Sequence, residues 1–225
     1  MTYNKSTRFS AEVEKAIRQR VSEDYNRLNA HLALTIAKKL GLSDKQLLPG
    51  IKAFALPTGR MQLLPNKLDC TVIVDFAHTA QGIQAALPAI RKSHLAKDGQ
   101  LITVVGCAGK RDKGKRPVMG RAAASLSDVA IFTSEDPRGE NIYTIIRQMK
   151  EDISPYQRRV VSIPDRREAV TFALEKYGHS HNTLVFFGKG HEQSMNYDGQ
   201  TETAWNDITD GQQIIARLEK ERHSA

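Results

Sequence analysis

The feature that most constrains this chain is a change of texture at Pro57-Thr-Gly-Arg60. Beyond that turn, short β-branched runs alternate with segments of helical periodicity. Thr71–Asp75, Leu101–Gly106, Val129–Thr133, Arg159–Ile163 and Thr183–Phe187 predict strands. Gln81–His94, Lys115–Leu126, Ile142–Glu151, Arg166–Tyr177 and Trp205–Glu221 predict helices. Strands and helices that alternate in this way fold as a mostly parallel sheet with helices on both faces, an α/β class. Right-handed crossovers bring the carboxyl ends of the strands to one edge, which is where such sheets bind ligands.

Before the turn the chain reads as helical. Ser10 is a candidate N-cap, followed by Val13, Ile17 and Val21 at four-residue spacing. A second run, Asn26 to Leu40, carries Leu28, Leu32, Leu34, Ile36 and Leu40 and stops at Gly41. Ser43 caps a third helix reaching about Phe54. A Rossmann-like sheet preceded by a helical segment, with the boundary at the Pro57–Arg60 turn, is the architecture these patterns predict. Its 225 residues suffice for one large domain and an appended piece.

Four of the five strand ends carry polar clusters, and the topology places them along one rim. Strand one ends in Asp75-Phe-Ala-His78-Thr79, and strand two runs into Gly106-Cys-Ala-Gly109-Lys110-Arg111-Asp112-Lys113-Gly114-Lys115-Arg116. Strand three ends in Ser134-Glu135-Asp136-Pro137-Arg138, and strand five in Gly188-Lys189-Gly190-His191-Glu192. The second cluster reads as an anion site: glycines let the backbone approach a ligand while cations supply the field. It is not a P-loop, because two residues rather than four separate Gly106 from Gly109 and Arg111 follows the lysine. In the third, Arg138 suits bidentate capture of a carboxylate, and Asp136 or Glu135 suits an ammonium group, as a zwitterionic amino acid needs. The competing reading is a local Asp–Arg contact around Pro137. Glu192 is a further amine acceptor; His191-Glu192 is no zinc motif, since Met195 stands where the second histidine is required. His179 and His181 lack further ligands, so no metal site is expected.

Composition narrows the partners. A formal charge of +8 suits nucleotide phosphates and carboxylate substrates as well as nucleic acid. The 6% aromatic content and the lack of nucleic-acid-binding motifs argue against nucleic acid. No apolar run is long enough to span a membrane, and Met1-Thr2-Tyr3-Asn4-Lys5 has no apolar signal core. Cys70 and Cys107 form no disulfide framework, which points to a reducing cytoplasm.

Taken together and in this order, the clusters Asp75-Phe-Ala-His-Thr, Gly-Lys-Arg-Asp-Lys-Gly-Lys-Arg-Pro, Glu-Asp-Pro-Arg and Gly-Lys-Gly-His-Glu resemble the C-terminal domain of MurE-type Mur ligases, the UDP-N-acetylmuramoyl-tripeptide synthetases. Tyr25-Asn-Arg-Leu-Asn29-Ala and Pro57-Thr-Gly-Arg60 look like the end of that family's central ATP-binding domain and its hinge. The resemblance runs from about residue 24 onward. It implies that residues 1–62 are a helical remnant of the central domain and that residues 63–225 are the amino-acid-binding domain. It further implies that Asn29, Arg60, Asp75 and His78 face ATP, and that Arg111, Asp136, Arg138, Gly188 and Glu192 hold the incoming amino acid. Family members that use meso-diaminopimelate carry Asp-Asn-Pro-Arg where this chain has Glu135-Asp136-Pro137-Arg138, and lysine-adding members usually lack that arginine. Arg138 therefore favours diaminopimelate over L-lysine, while Asp136 adds a negative charge beside the expected carboxylate.

The implied reaction phosphorylates the carboxylate of a UDP-muramoyl dipeptide with ATP and Mg2+, and the amine of a diamino acid then attacks the acyl phosphate. No phosphate loop or magnesium ligand set is recognisable here, so the chain is expected to be inactive alone, to hold no cofactor tightly and to contain no catalytic residue of its own. A stand-alone amino-acid or nucleotide-binding module is the alternative, and a basic nucleic-acid-binding protein is a third. No membrane partner is expected, and the sequence leaves the oligomeric state open.

Overall fold

A computed structural model describes residues 8–223. The reading of Met1–Lys5 therefore lies outside the described residues. The described residues fall into two compact units, divided after Pro57.

The first unit is three helices, α1 (Ala11–Arg20), α2 (Asp24–Lys39) and α3 (Asp44–Ala53). Ser10 caps α1 by accepting from the Val13 amide, and Ser43 forms a capping box with Gln46 at α3. Gly41 at φ +95° follows the end of α2. The small core is Val13, Ala16, Ile17 and Val21 against Leu47 and Ile51, the two helix faces that the i, i+4 spacing sets. No residue of α2 is fully buried.

The second unit is built on a six-stranded sheet. Its strands are β1 (Gln62–Leu63), β2 (Cys70–Asp75), β3 (Leu101–Cys107), β4 (Val129–Ser134), β5 (Val160–Ser162) and β6 (Asn182–Phe187). Their spatial order is β1-β2-β6-β3-β4-β5, parallel throughout except for β1, which pairs antiparallel with β2. Helices α4 (Ala80–Ser93), α5 (Lys115–Leu126), α6 (Ile142–Met149) and α7 (Arg166–Tyr177) follow β2, β3, β4 and β5, and α8 (Thr209–His223) closes the chain. Side chains alternate across the sheet. Val72, Val74, Ile102, Val104, Leu184 and Phe186 pack with α7 and α8. The intervening Ile73, Val105, Val185 and Phe187 are just as buried and point to the opposite face, on which α5 and α6 pack. Burial on both faces explains why these strands read as continuous apolar runs.

The predicted elements after residue 70 agree with this architecture to within a few residues. Three strands escaped the sequence: β1, and the hairpin of β7 (Ser194–Asn196) and β8 (Glu202–Ala204). Register carries the functional consequence. Asp75 pairs with Phe187, Val104 with Phe186, and Cys107 with Ser134, so the four polar clusters leave the sheet along a common edge.

Candidate functional site

Asp136 is the hub of the rim. It is 8% exposed, and its carboxylate binds three different segments. Oδ1 accepts from Lys189 Nζ at 2.8 Å and from the Asn196 amide at 3.0 Å, while Oδ2 accepts from Arg138 Nη2 at 2.9 Å. Lys189 is itself buried and reaches Glu192 Oε2 at 2.5 Å, so one ammonium group bridges two carboxylates. The loop after β4 is thereby tied to the loop after β6 and to the β7–β8 hairpin. Asp136 and Arg138 both adopt positive φ, 43° and 51°. Left-handed backbone at a long side chain such as arginine costs about 1 kcal/mol or more, and it persists only where surrounding contacts impose it. Here the amides of Arg138 and Gly139 donate to the Asn196 and Tyr197 carbonyls of the hairpin.

Two atoms of this cluster stand out. Arg138 Nη1, a donor, and Glu135 Oε2, an acceptor, are buried without a hydrogen-bond partner. Such groups are costly unless something satisfies them. Burial pushes the Glu135 carboxyl up to about 7, with Lys115 and Arg166 opposing and Asp136 reinforcing the rise. Gly188, at φ +106°, lies directly against it: a β-carbon there would meet Glu135 Oε2 at 2.6 Å.

Beside this cluster, the loop after β3 exposes Arg111, and its base is locked. Arg116, fully buried at the start of α5, makes a bidentate pair with Glu140 at 2.7 and 2.8 Å and reaches Gln148 and the Ala108 carbonyl. Hydrogen bonding from Arg116, then from the Lys110 amide, holds the Glu140 carboxyl down at about 2.

The other end of the rim is aromatic and open. Arg60 lies over the Phe76 ring at 5.1 Å, and His78 and His191 flank that ring at 4.9 and 5.0 Å. Gly59, at φ +74°, brings its turn against Gly190 and His191, where a β-carbon would clash at 2.3 Å. Asp75 is 3% exposed, and its oxygens accept from the Met61 and Ala77 amides, so it braces this turn. Asn29 is exposed on α2 of the first unit.

Residues 59–190 match the model of the Mur ligase glutamate ligase domain. The chain belongs to the Mur ligase family. A UDP-N-acetylmuramyl-tripeptide synthetase of Roseiflexus sp. (strain RS-1) is 33% identical over 205 residues, 89% of this chain and 39% of that protein. A UDP-N-acetylmuramoyl-L-alanyl-D-glutamate–2,6-diaminopimelate ligase of Geobacillus thermodenitrificans (strain NG80-2) is 40% identical over 134 residues, 60% of this chain and 27% of that protein. A solved structure of a ligase of the latter name superposes with a TM-score of 0.65 at 32% identity, covering 88% of this chain and 39% of its own. The chain thus spans well under half the length of these Mur ligases.

Within this Mur ligase domain, Arg111, Asp136, Arg138, Gly188 and Glu192 lie on neighbouring loops of one rim, and Arg60, Asp75 and His78 lie at its other end. Sequence reasoning overlooked Lys189, whose burial between two carboxylates nothing in a glycine-rich cluster reveals. It also overlooked the buried pair of Arg166 and Asp207, which meet at 2.8 and 2.6 Å. Arg166 further donates to the Ser134 and Phe187 carbonyls and so locks the ends of β4 and β6. Among the described residues no group of three His, Cys, Asp or Glu side chains is placed to hold a metal ion, and no helix is long and apolar enough to cross a membrane.

Proposed function

We propose that this chain is the C-terminal part of an ATP-dependent ligase that adds the third amino acid, meso-diaminopimelate in preference to L-lysine, to UDP-N-acetylmuramoyl-L-alanyl-D-glutamate in peptidoglycan synthesis in the cytoplasm. The observation that carries the reading is the pair of buried, unpartnered groups on one loop: a guanidinium donor on Arg138 and a carboxyl acceptor on Glu135. An ammonium and a carboxylate on one ligand satisfy both. The names of the relatives supply the reaction class.

In this reading residues 63–225 form the amino-acid-binding domain, and residues 1–62 close the central ATP-binding domain. Arg138 takes the distal carboxylate, Arg111 offers a further cation, and Asp136, Gly188 and Glu192 complete the pocket. ATP, when bound, supplies the phosphoryl group that activates the peptide carboxylate. Arg60 and His78 fit one wall of a nucleotide site, since an exposed guanidinium and imidazole on an aromatic ring suit phosphates and a base. Asp75 holds the turn that carries Arg60, and the family resemblance assigns Asn29 to the adenine. In this reading the isolated chain binds amino acid without releasing ADP, because the phosphate and metal clamp of the transfer belongs to the rest of the ligase.

Equilibrium binding tests the assignment. Arg138→Ala should weaken meso-diaminopimelate by about 2–4 kcal/mol and leave L-lysine, which lacks the second carboxylate, nearly unchanged. Equal losses for both would reduce Arg138 to a brace for the Pro137 turn. ADP release by the purified chain with the dipeptide precursor and either amino acid would overturn its reading as one part of a ligase.

A further inference from the structure

Lys189 is a lysine buried to 1% exposure, in contact with two residues of the proposed amino-acid subsite. Burying an ammonium group is costly unless carboxylates surround it. Two do: Asp136 at 2.8 Å and Glu192 at 2.5 Å, on loops that follow different strands. Asp136 commits its other oxygen to Arg138 Nη2, which leaves Arg138 Nη1 buried and unpartnered. Two cations, Lys189 and Arg138, therefore face two carboxylates, Asp136 and Glu192.

Resting on the proposed function, we infer that Lys189 is a positioning residue: by neutralising Asp136, it restricts that carboxylate to half of the Arg138 fork and keeps the other half for the substrate carboxylate. The alternative geometry is easily reached. A guanidinium and a carboxylate pair most strongly through two parallel hydrogen bonds. With Lys189 removed, Asp136 keeps only the Asn196 amide, a neutral donor, besides Arg138. Its charge then draws both Arg138 nitrogens, and the incoming carboxylate meets an arginine already engaged. Glu192, 40% exposed at its side chain, passes to water at little cost. Asp136, 11% exposed at its side chain, has no such outlet.

The inference makes Lys189 and Asp136 a compensating pair, which a double-mutant cycle separates from a merely structural role. Binding of meso-diaminopimelate is measured for the chain and for Lys189→Met, Lys189→Arg, Asp136→Asn and Asp136→Asn/Lys189→Met, with crystal structures of the methionine variants. Lys189→Met should weaken binding at least about tenfold. Lys189→Arg should stay near the parent, and the double variant should return to within about threefold of Asp136→Asn. In the Lys189→Met structure Arg138 should close on Asp136 through both terminal nitrogens, and in the double variant Nη1 should be free again. Equal losses from Lys189→Met in the parent and in the Asp136→Asn background would overturn the inference, as would an Arg138 that keeps a single bond in Lys189→Met. Should Lys189→Met fail to fold, rescue of folding by Asp136→Asn supports the pair, and failure of the double variant as well refutes it. A parent chain that binds neither diaminopimelate nor lysine defeats the functional reading alone, because the two crystal structures still decide how Arg138 is held.

Discussion

The two units bury their apolar residues in opposite ways. In the second, every strand position from Val72 to Val74 and from Leu101 to Val105 is at or near zero exposure, with helices over both faces. In the first, one helix pair supplies a six-residue core, α2 leaves Leu28, Leu32 and Ile36 at 52–53% exposure, and its C-cap Leu40 is 80% exposed. These four recur every fourth residue and so form a single stripe along the helix. Polar residues diverge in parallel. The second unit buries Arg166, Asp207, Lys189 and Asp136 in paired networks, whereas the first ties its helices with partly exposed pairs, His31 with Glu14 and Lys38 with Asp44. The difference teaches where specificity is written. A parallel sheet closed on both faces can hold buried charge at fixed distances, and the candidate site uses that rigidity; a three-helix unit with an uncovered stripe does not.

The largest expected effect breaks the rigid partner. Arg166→Met leaves Asp207 buried without its cation and frees the Ser134 and Phe187 carbonyls. Losing one member of a buried pair costs about 3–5 kcal/mol. Trp205, the only tryptophan, donates to Asp207 and lies in the second unit, so its fluorescence in urea follows that unit alone. The transition should move to lower urea, while hydrogen exchange of the α1 and α3 amides in the first unit stays unchanged. A shift below about 1 kcal/mol would show that the pair merely replaces packing an apolar residue supplies equally well.

Hydrogen exchange compares the units directly. Amides of β3 and β6 should exchange only through global opening, and those of α2 through local fraying, at least about a hundredfold faster after correction for intrinsic rates. Uniform protection would mean that the exposed stripe does not mark weak packing.

Glu135 gives a pH signature confined to the second unit. Its folded pKa of about 7 lies above the usual carboxyl value of 4.5. The folded state therefore binds more protons than the unfolded state between these values, and stability falls as pH rises from 4.5 to 7, then levels off. Glu140 runs the other way: held at about 2, its contribution is complete above 4.5 and is lost as pH falls toward 2. Subtracting the Glu135→Gln unfolding curve from that of the parent should isolate a decline of about 2–3 kcal/mol across pH 4.5–7. A flat difference would place Glu135 in contact with water.

Much of this architecture is legible in the residues alone. Long β-branched runs buried on both faces cannot be mistaken, and β2, β3, β4 and β6 begin and end within a residue of expectation. The hairpin was invisible because Ser194–Asn196 and Glu202–Ala204 are three-residue strands, mostly polar. Helix α8 was expected from Trp205 but starts at Thr209. Asn206 accepts from the Ile208 and Thr209 amides, and its own amide donates to Asp210, so the chain turns there first. At the site, the residue types on the rim were legible and their partners were not. Asp136 reads in the sequence as an acceptor for an ammonium group, and in the fold its two oxygens also accept from Lys189, Asn196 and Arg138. Which charges neutralise one another depends on loops 53 residues apart in sequence, those of Asp136 and Lys189, and no local pattern encodes that.

The smallest expected effect sharpens the comparison from the side of the first unit. Leu32 lies mid-stripe on α2, half exposed, with Leu28 and Ile36 one turn away on either side. Leu32→Gln keeps a good helix former of similar length, so helix propensity barely changes. The apolar area it removes from contact is small, because the residue is already largely in water, and surface changes of this kind stay within about 0.5 kcal/mol. Hydrogen exchange of the α1 and α3 amides should therefore be unchanged. Ile17→Ala, in the same unit but 1% exposed, supplies the contrast: loss of buried methyl groups should cost about 2–4 kcal/mol and unfold the unit early. A Leu32→Gln variant destabilised as strongly as Ile17→Ala would mean that the stripe is packed in solution after all. The division between a fully covered sheet and a partly bare helical unit would then have to be redrawn.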